Sequence, residues 1–311
     1  MPRTQGFSEE RYAGGKIDLS VVIVAWNGAA VISNCLNSIF SREYHFNYEV
    51  IVIDNASTDG TAELVRDEFP RALLLVQTRN LGYARGNNIG IAMARGARIL
   101  LLNQDVELLD NALADLYQCL SEREPVGVAA VAPRLEYPNG AVQRTLRRFP
   151  TPLNVLRDVL SLGAWHARQY DQAISQEVDQ PMASCLLLRG DLLKRIGGFD
   201  DHPSLFLYFN DVDLSMRIHL LGFKHFYLAD ARAVHHHGQA SRQWMEARRL
   251  KAWTDGLYYF LVKHYSKKQM WRKALLRLFV FIIYCGRFLG ETLLALLYGK
   301  RTAVFKKDSK R

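Results

Sequence analysis

Short apolar runs alternate with helical segments from Leu19 to about Val131, and this alternation constrains the fold more than any other feature. The runs predicted to form strands are LSVVIVA (19–25), EVIVID (49–54), ALLLV (72–76), ILLL (99–102) and VGVAAVA (126–132). The segments predicted to form helices between them are 29–40, 59–69, 82–96 and 110–121. Such alternation is typical of a parallel sheet with helices on both faces. We therefore predict a doubly wound α/β sheet for this part of the chain.

The pattern changes after Pro152. Residues 153–180 are mixed in character, with some helical periodicity and no clear chemistry. A second structured stretch is predicted over 182–237. It opens with the strand candidate MASCLLL and continues into a short helix that Gly197 and Gly198 would end. The 311 residues have room for one large α/β domain with an appendage, or for two modest domains.

Basic residues are concentrated near the C-terminus. From Arg242 onward the chain has 17 Lys and Arg against 4 Asp and Glu, whereas the first 241 residues have 23 basic and 27 acidic residues. A nucleic-acid binder carries its basic face on the folded domain itself. We therefore expect no nucleic-acid partner.

The same tail contains an apolar stretch, 274–298, that Arg277, Arg287 and Glu291 interrupt. A spanning helix needs roughly 20 mostly apolar residues without such charges. A helix lying in the membrane interface fits better, because the flanking Lys and Arg pairs suit an anionic lipid surface. Residues 242–311 are thus predicted to be a basic amphipathic tail that associates with a membrane. The alternative is a helical hairpin packed on the main domain, and an oligomer contact through these helices is also open.

Cysteine usage and the N-terminus point to a cytoplasmic protein. The four cysteines are scattered without a C-x-x-C pair, as expected for reduced core residues: Cys35, Cys119, Cys185 and Cys285. Residues 1–17 are predicted to be a flexible polar arm that lacks the apolar core of a secretory signal. The sequence contains no P-loop, no G-x-G-x-x-G after the first strand and no G-x-S-x-G elbow, which excludes the common kinase, dinucleotide oxidoreductase and hydrolase classes.

Polar side chains follow the apolar run 99–102 directly, beginning with Asn103, Gln104 and Asp105. In open α/β sheets, ligands bind beyond the carboxyl ends of the strands. A carboxylate there can hold a divalent cation, and the cation can hold a diphosphate. The alternative is an acidic turn that solubilises the strand end.

Two further clusters occupy similar places in the first half. Asp54 follows the second predicted strand, where it can accept hydrogen bonds from a nucleotide base or ribose, whereas Asp59 suits a helix N-cap. The segment 80–88, NLGYARGNN, has glycines that let a backbone approach a ligand and an arginine, Arg85, that can contact phosphate or sugar. A loop-to-helix junction would explain that segment almost as well.

The second half contains two more candidates. An apolar run, LFLYF, leads into Asn210, Asp211 and Asp213, which either serve chemistry or cap a helix. A run of histidines begins at His235, at the end of another predicted strand, where alternation puts His235 and His237 on one face. A neutral imidazole is a good ligand for manganese.

Taken in order, these clusters resemble the glycosyltransferases of family 2, which have the GT-A fold. The resemblance rests on SVVIVAWNG, EVIVIDNASTDGT, NLGYARGNN, LLLNQDVEL, GGFDD, FNDVDLSMR and AVHHHGQAS, and it covers about residues 19–241. Within that family the chain is most similar to bacterial rhamnosyltransferases that extend lipid-linked or cell-surface glycans, to judge from GAVQRTLRRFPTP and the basic C-terminal helices.

The resemblance implies a role for each matching residue. Asp105 matches the last acid of the family's D-x-D element and would hold Mg²⁺ or Mn²⁺, with His235 completing the site. Asp211 matches the family's catalytic base, with Asn210 and Asp213 on the acceptor side or in support. The nucleotide sugar would be bound by Ala25, Asn27, Asp54, Asn80, Arg85, Asn87, Asn103 and Gln104. Two residues depart from the family pattern: Asn103 replaces the first Asp of D-x-D, and Asn210 replaces the Glu before the base.

The implied architecture is a GT-A domain over 18–241, with a nucleotide-sugar half at about 18–131 and an acceptor half at about 132–241. The implied reaction is inverting transfer of a sugar, with dTDP-rhamnose as the expected donor and a polyprenyl-diphosphate-linked saccharide as the expected acceptor. The protein would lie on the cytoplasmic face of the plasma membrane. Two alternatives remain open: a processive polysaccharide synthase, for which the Q-x-x-R-W element is missing, and a non-catalytic nucleotide-binding or membrane scaffold protein.

Overall fold

The computed structural model describes residues 15–160, 170–236, 246–266, 269–270 and 272–283. Most of the predicted N-terminal arm, His237, Cys285 and the tail beyond residue 283 lie outside the described residues.

The strands, in chain order, are β1 Leu19–Ala25, β2 Tyr48–Asp54, β3 Leu73–Val76, β4 Arg98–Asn103, β5 Val106–Leu108, β6 Val128–Glu136, β7 Leu146–Arg147, β8 Gln176–Val178, β9 Gln180–Pro181, β10 Cys185–Arg189 and β11 Lys224–His235. The helices are α1 Ile32–Phe40, α2 Thr61–Glu68, α3 Tyr83–Met93, α4 Ala112–Arg123, α5 Pro152–Leu160, α6 Gly190–Arg195, α7 Asn210–Leu220 and α8 Glu246–Tyr265. Residues 272–283 are also helical.

The main sheet has the order β3-β2-β1-β4-β10-β6-β11-β5, with β8 on the outer side of β11. Strands β3, β2, β1 and β4 are parallel, as predicted, and β6 and β11 form a second parallel pair. The predicted strand MASCLLL is present as β10, but its position was not predicted: it lies antiparallel between β4 and β6. Leu186–Leu188 are buried in this central position, and an apolar strand of that kind gains most burial at the middle of a sheet.

Apolar side chains on both faces of the sheet explain why the strands read as continuous hydrophobic runs. Along β1, Val21 and Ile23 pack with α1, α2 and α4 on one side, whereas Val22 packs with α3, α6 and α7 on the other. Helix α3 packs so closely on the sheet that a Cβ at Gly86 would lie only 2.8 Å from Val24 Cγ1. This close packing brings the N-terminus of α3 to the carboxyl edge of the sheet.

Helix α8 packs on the α/β domain through a separate apolar core. Leu257, Phe260 and Leu261 of α8 are buried with Phe209 and Val212, at the start of α7. The domain boundary at residues 241 and 242 stays a prediction. Among the described residues, no helix combines the length and apolar character that crossing a bilayer requires.

Candidate active site

The carboxyl ends of the parallel strands bring the predicted donor residues together. Ala25 at the end of β1 is in register with Asp54 of β2, and Val24 is in register with Asn103 of β4. The predicted ligand-binding edge is therefore a row of adjacent strand ends. Ligands bind at this edge in open α/β sheets.

Several polar atoms at this edge are buried and have no hydrogen-bond partner within the described part of the chain. They are Asp54 Oδ1, Asn55 Oδ1, Gln77 Nε2 and Asn103 Oδ1. Native proteins satisfy nearly all buried polar groups, so a cluster of unsatisfied ones indicates a place for a polar ligand. Burial also raises the pKa of Asp54, although the Ser57 hydroxyl and N–H donate to it and oppose this shift.

The two loops that follow β1 and β2 hold each other in place. Asn27 donates from its backbone N–H to Ser57 Oγ at 2.9 Å, and Asn27 Oδ1 accepts from Thr58 N at 2.9 Å. Gln104 makes both possible hydrogen bonds to the backbone of Trp26, at 3.0 and 3.1 Å. Asn27 has a positive φ of 47°, a strained conformation that surrounding contacts must maintain. The side chains of Asn27 and Gln104 thus hold the backbone of the loops that follow β1 and β2.

Asp105 and His235 meet at the edge where β5 pairs with β11. Val106 lies opposite His235 in that antiparallel pair, so the residue before β5 faces the histidine. His235 Nε2 lies 3.5 Å from Asp105 Oδ1. Both residues are buried, with exposed fractions of 4% and 7%. The structure therefore brings together the two residues predicted to hold a metal ion.

Gln143 determines which nitrogen of His235 carries the proton. Gln143 Nε2 donates to the carbonyl oxygens of His235 at 2.7 Å and Glu136 at 3.3 Å, so its Oε1 must face His235 Nδ1, at 3.0 Å. An amide oxygen only accepts, and Nδ1 is therefore the protonated nitrogen. In the neutral tautomer the ring's lone pair is on Nε2, the nitrogen that lies 3.5 Å from Asp105 Oδ1. Metal-binding histidines typically donate their second ring nitrogen in this manner.

The side chains of Asp105 and His235 suit Mg²⁺ or Mn²⁺, with the remaining ligands of the ion supplied by the substrate. No group of three or more His, Cys, Asp or Glu side chains is placed to hold a metal within the described ranges. Magnesium commonly binds to one or two carboxylates and takes its other ligands from water and phosphate oxygens. A carboxylate, an imidazole nitrogen and a bound diphosphate meet that pattern, even though Asn103 stands where the family has an aspartate.

Asp211 lies in the first turn of α7, two residues after Phe209, which has a left-handed backbone with a φ of 67°. Its carboxylate accepts from the N–H of Val212 at 2.8 Å and lies near the N–H of Ala183. Burial raises the pKa of Asp211 above the ordinary carboxyl value, although Arg147 and these N–H groups lower it in part. A carboxylate with a raised pKa is suited to take a proton from a hydroxyl group.

Residues 182–184 connect the two acidic centres of the site, which are the Asp105–His235 pair and Asp211. The Tyr83 hydroxyl donates to Ala183 O at 3.0 Å, and Asn103 Nδ2 donates to Ser184 Oγ at 3.2 Å. Burial raises the pKa of Tyr83, and the negative charges of Asp211 and Asp105 raise it further, so the phenol lies near both carboxylates. The three side chains therefore form one site between β4, α3 and α7.

Other predicted site residues have their side chains engaged within the protein. Asn87 Nδ2 donates to Tyr83 O at 2.9 Å inside α3, and Asn210 Nδ2 donates to Leu205 O at 3.4 Å. Asp213 is fully buried and forms ion pairs, described below.

Asn80 and Arg85 line a separate cavity, to which Tyr83 also contributes. The Arg85 Nε is hydrogen-bonded to Asp201 Oδ2 at 2.7 Å, and Asn80 Oδ1 accepts from Gly82 N at 2.8 Å. The cavity has a volume of about 240 Å³ and includes the Phe206 ring. It lies where the loop before α3 meets the loop before α7.

Sequence reasoning did not single out Gln143, Tyr83 or Ala183. Tyr83 lies inside the NLGYARGNN segment, but the sequence alone gave no reason to prefer it over its neighbours. Gln143 lies in GAVQRTLRRFPTP, which carried the resemblance to rhamnosyltransferases. Only the fold shows that this glutamine lies beside His235, 92 residues later.

The fold is that of the GT-A glycosyltransferases. The mannosyltransferase PcManGT from Pyrobaculum calidifontis, solved with GDP-Man and Mn²⁺, aligns with a TM-score of 0.57 and 19% identity over 91% of this chain and 76% of its own. Residues 1–349 of S. aureus TarS, solved with UDP-GlcNAc, align with a TM-score of 0.57 and 18% identity over 92% of this chain and 77% of that one.

Sequence comparison identifies the family within this fold. The model for glycosyl transferase family 2 matches residues 20–196, and the chain belongs to that family. An N-acetylglucosaminyl-diphospho-decaprenol L-rhamnosyltransferase of Mycobacterium tuberculosis is 29% identical over 247 residues, which cover 73% of this chain and 78% of the relative. The O-antigen biosynthesis protein RfbC of Myxococcus xanthus is 21% identical over 73% of this chain and 18% of its own length. The chain is thus a nucleotide-sugar glycosyltransferase that resembles rhamnosyltransferases.

Proposed function

We propose that this protein is an inverting glycosyltransferase that transfers rhamnose from dTDP-rhamnose to a polyprenyl-diphosphate-linked saccharide. The observation that carries the proposal is the convergence of Asp211, Tyr83 and the Asp105–His235 pair beside a row of unsatisfied polar atoms. A base and an anion-binding site placed side by side are what direct displacement at a sugar carbon requires.

Asp211 is the proposed base. The acceptor hydroxyl oxygen forms a bond to the anomeric carbon while the bond from that carbon to the diphosphate oxygen breaks. The hydroxyl proton passes to the Asp211 carboxylate, and the nucleoside diphosphate leaves with the bonding electron pair. Attack comes from the face opposite the leaving group, so the anomeric configuration inverts and no covalent intermediate with the protein forms. A positioned base typically contributes about 10²–10⁴-fold in rate.

Asp105 and His235 are the proposed protein ligands of a divalent cation, Mg²⁺ or Mn²⁺. When bound, such a cation stabilises the negative charge on the leaving diphosphate. Gln143 orients His235 for this role by accepting the Nδ1 proton. The structurally similar PcManGT was solved in complex with GDP-Man and Mn²⁺, which supports the assignment.

Donor recognition is proposed to follow the strand ends. Asp54 Oδ1 is buried without a described partner and would accept a hydrogen bond from the base of the nucleotide. The name of the mycobacterial relative supports rhamnose as the sugar and a polyprenyl-diphosphate-linked N-acetylglucosamine as the acceptor. The cavity beside Arg85 and Phe206 is also lined by Tyr83 and is the proposed place for the acceptor saccharide.

A lipid-linked acceptor requires the site to work close to a membrane, and one surface supports that location. On residues 272–283, Leu275, Leu278, Phe281 and Ile282 are 57 to 61% exposed. Leu153 and Leu156 of α5 are also exposed, and α5 shares a core with this segment. Exposed apolar residues of this kind, with the basic tail, suit insertion into an anionic leaflet. The proposed location is the cytoplasmic face of the plasma membrane.

The proposal is tested with a thermal-shift panel followed by a transfer assay. We expect dTDP-rhamnose with Mn²⁺ to raise the melting temperature more than UDP-GlcNAc or GDP-Man does, because a ligand at 100 times its Kd stabilises a protein by about 2.7 kcal/mol. We then expect transfer to a polyprenyl-diphosphate N-acetylglucosamine, with inverted configuration by NMR. Stabilisation by another nucleotide sugar would overturn the donor assignment. Transfer that Asp211→Asn leaves unchanged would overturn the mechanism.

A further inference from the structure

Helix α8 lies outside the strand-end site, yet it contacts the segment that carries the proposed base. One face of α8 presents Trp253, Gly256 and Phe260 at helical spacing toward Phe209. Ring centroids are 5.8 Å apart for Phe209 and Trp253 and 6.1 Å apart for Phe209 and Phe260. Phe209 is two residues before Asp211 in the sequence.

The contact matters because Phe209 has a left-handed backbone. A φ of 67° is unfavourable for a bulky residue and persists only where surrounding packing maintains it. This turn directs the chain into α7 and so determines where the Asp211 carboxylate points. The packing that maintains it comes in large part from α8.

Gly256 shows how closely the two segments approach. A Cβ at this position would lie 2.9 Å from Phe209 Cδ2 and 3.2 Å from the carbonyl oxygens of Ser204 and Tyr208. Any side chain here would press on the loop before the base. Glycine is otherwise unfavourable in a helix interior by about 1 kcal/mol relative to alanine, so its presence in α8 has a packing reason.

Charged contacts tie α8 to the other side of the same turn. Asp213, which is fully buried, accepts from His264 Nε2 at 2.8 Å, from Lys263 Nζ at 2.7 Å and from Arg217 Nε at 2.8 Å. Lys263 Nζ also contacts Asp200 Oδ2 at 2.6 Å. These bonds hold the pKa of Asp213 at about 2, well below its usual value, although burial alone would raise it.

We infer that α8 is a positioning element of the active site, with Gly256 and His264 holding the Phe209 turn and α7 so that Asp211 meets the acceptor hydroxyl. This inference rests on the proposed function and assigns a catalytic purpose to a helix outside the family match at residues 20–196. Asp211 lies between the two fixed points, Phe209 and Asp213. A displacement of about 1 Å at a reacting group can cost as much as 10²-fold in rate.

The test compares variants on two faces of α8 in the full-length protein. Gly256→Ala is expected to lower kcat by about tenfold or more while the Kd for dTDP-rhamnose with Mn²⁺ stays within about twofold, because the donor site lies at the strand ends. The melting temperature is the third quantity measured, because crowding against Phe209 lowers it whereas the helix preference of alanine raises it. The matched control is the neighbouring Asp255→Ala, which removes only an exposed ion pair with Lys251 and should leave all three quantities unchanged.

A second pair of variants keeps the test decisive if Gly256→Ala does not fold. His264→Leu should lower kcat, and His264→Gln, which keeps an N–H donor, should restore most of it. Wild-type kcat in Gly256→Ala and His264→Leu, or a parallel loss of donor binding in both, would overturn the inference.

Wild type and Asp211→Asn are measured alongside these variants. An inactive wild type, or an active Asp211→Asn, would instead contradict the proposed function. Failure of the inference alone appears as an active wild type, an inactive Asp211→Asn and α8 variants that behave like wild type.

Discussion

The proposed donor half and the proposed acceptor half of the site are built in different ways. Donor residues lie at the ends of adjacent parallel strands, and short loops that bond to each other hold them, as Asn27 and Ser57 do. Acceptor-side residues come from distant segments, with Asp211 close to Ala183 and Phe209 packed on α8. A site made from neighbouring strand ends depends on local structure, whereas one assembled across the chain depends on the packing of whole helices. Substitutions in the two halves should therefore separate donor binding from catalysis.

The largest difference between the effect on catalysis and the effect on donor binding is expected from Asp211→Asn. The rate of transfer should fall by about 10²–10⁴-fold because the base is lost, while the Kd of the donor should remain unchanged. Steady-state kinetics and donor titration measure the two effects. Equal losses in donor affinity and rate would show that the halves are not separable.

The same variant should be at least as stable as wild type at neutral pH. Burial raises the pKa of Asp211 in the folded state, so ionising it costs folding free energy. That cost is absent below the unfolded-state pKa, grows as the pH rises and is complete above the raised folded-state pKa. Thermal unfolding of both proteins at acidic and neutral pH measures it, and a less stable variant at neutral pH would contradict the explanation.

Gln143→Leu should act on the donor half. Without the Gln143 acceptor, His235 loses the bond that fixes its tautomer, and losses of this kind typically cost about 10–100-fold in metal affinity. Titration of Mn²⁺ by electron paramagnetic resonance, with nucleotide present, measures the change. Gln118→Leu removes an exposed glutamine on α4 and serves as the control. Unchanged Mn²⁺ affinity in Gln143→Leu would remove the proposed role of this residue.

The pH dependence should also differ between the halves. Asp211 accepts a proton only when ionised, and its raised pKa places the acidic decline of kcat above the range of an ordinary carboxyl group. Activity should be complete above that pKa and decline as the pH falls through it. A kcat profile measured at saturating donor reports this group. An acidic decline at or below the ordinary aspartate value, about 3.9, would contradict the assignment.

The smallest effect is expected from Asp54→Asn. Asparagine keeps an amide oxygen that can accept from the nucleotide base but loses the negative charge, so donor binding should weaken by about 1 kcal/mol, with kcat at saturating donor unchanged. Isothermal titration with the nucleotide alone measures the affinity. Asp59→Asn is the comparison variant, since Asp59 is exposed and accepts from the N–H of Thr61 at the start of α2, whose N-cap residue is Gly60. A reduced kcat in Asp54→Asn would link this residue to the chemistry of the other half.

The sequence alone was sufficient to predict the parallel strands β1 to β4 and the polar residues at their ends, because both follow from local patterns. The proximity of Asp105 and His235 could be predicted only through the family resemblance, because it depends on the pairing of β5 with β11. The antiparallel insertion of β10 could not be read from the apolar run at Cys185–Arg189, because hydrophobic periodicity does not encode strand direction or order. For the same reason, neither the tautomer set by Gln143 nor the contact of Gly256 with Phe209 was visible.

The position of β10 also has a consequence for how the protein is made. Its neighbours β4 and β6 are both synthesised well before residue 185, and nothing pairs them to each other until β10 joins the sheet. During translation, at about 5–20 residues per second, the growing chain therefore carries two open apolar strand edges. Segment β1 to β4 has local connections and can assemble early, whereas the centre of the sheet must wait for a distant strand. A ribosome-bound fragment that stops short of β10 should be a strong client for chaperones that cover exposed strands.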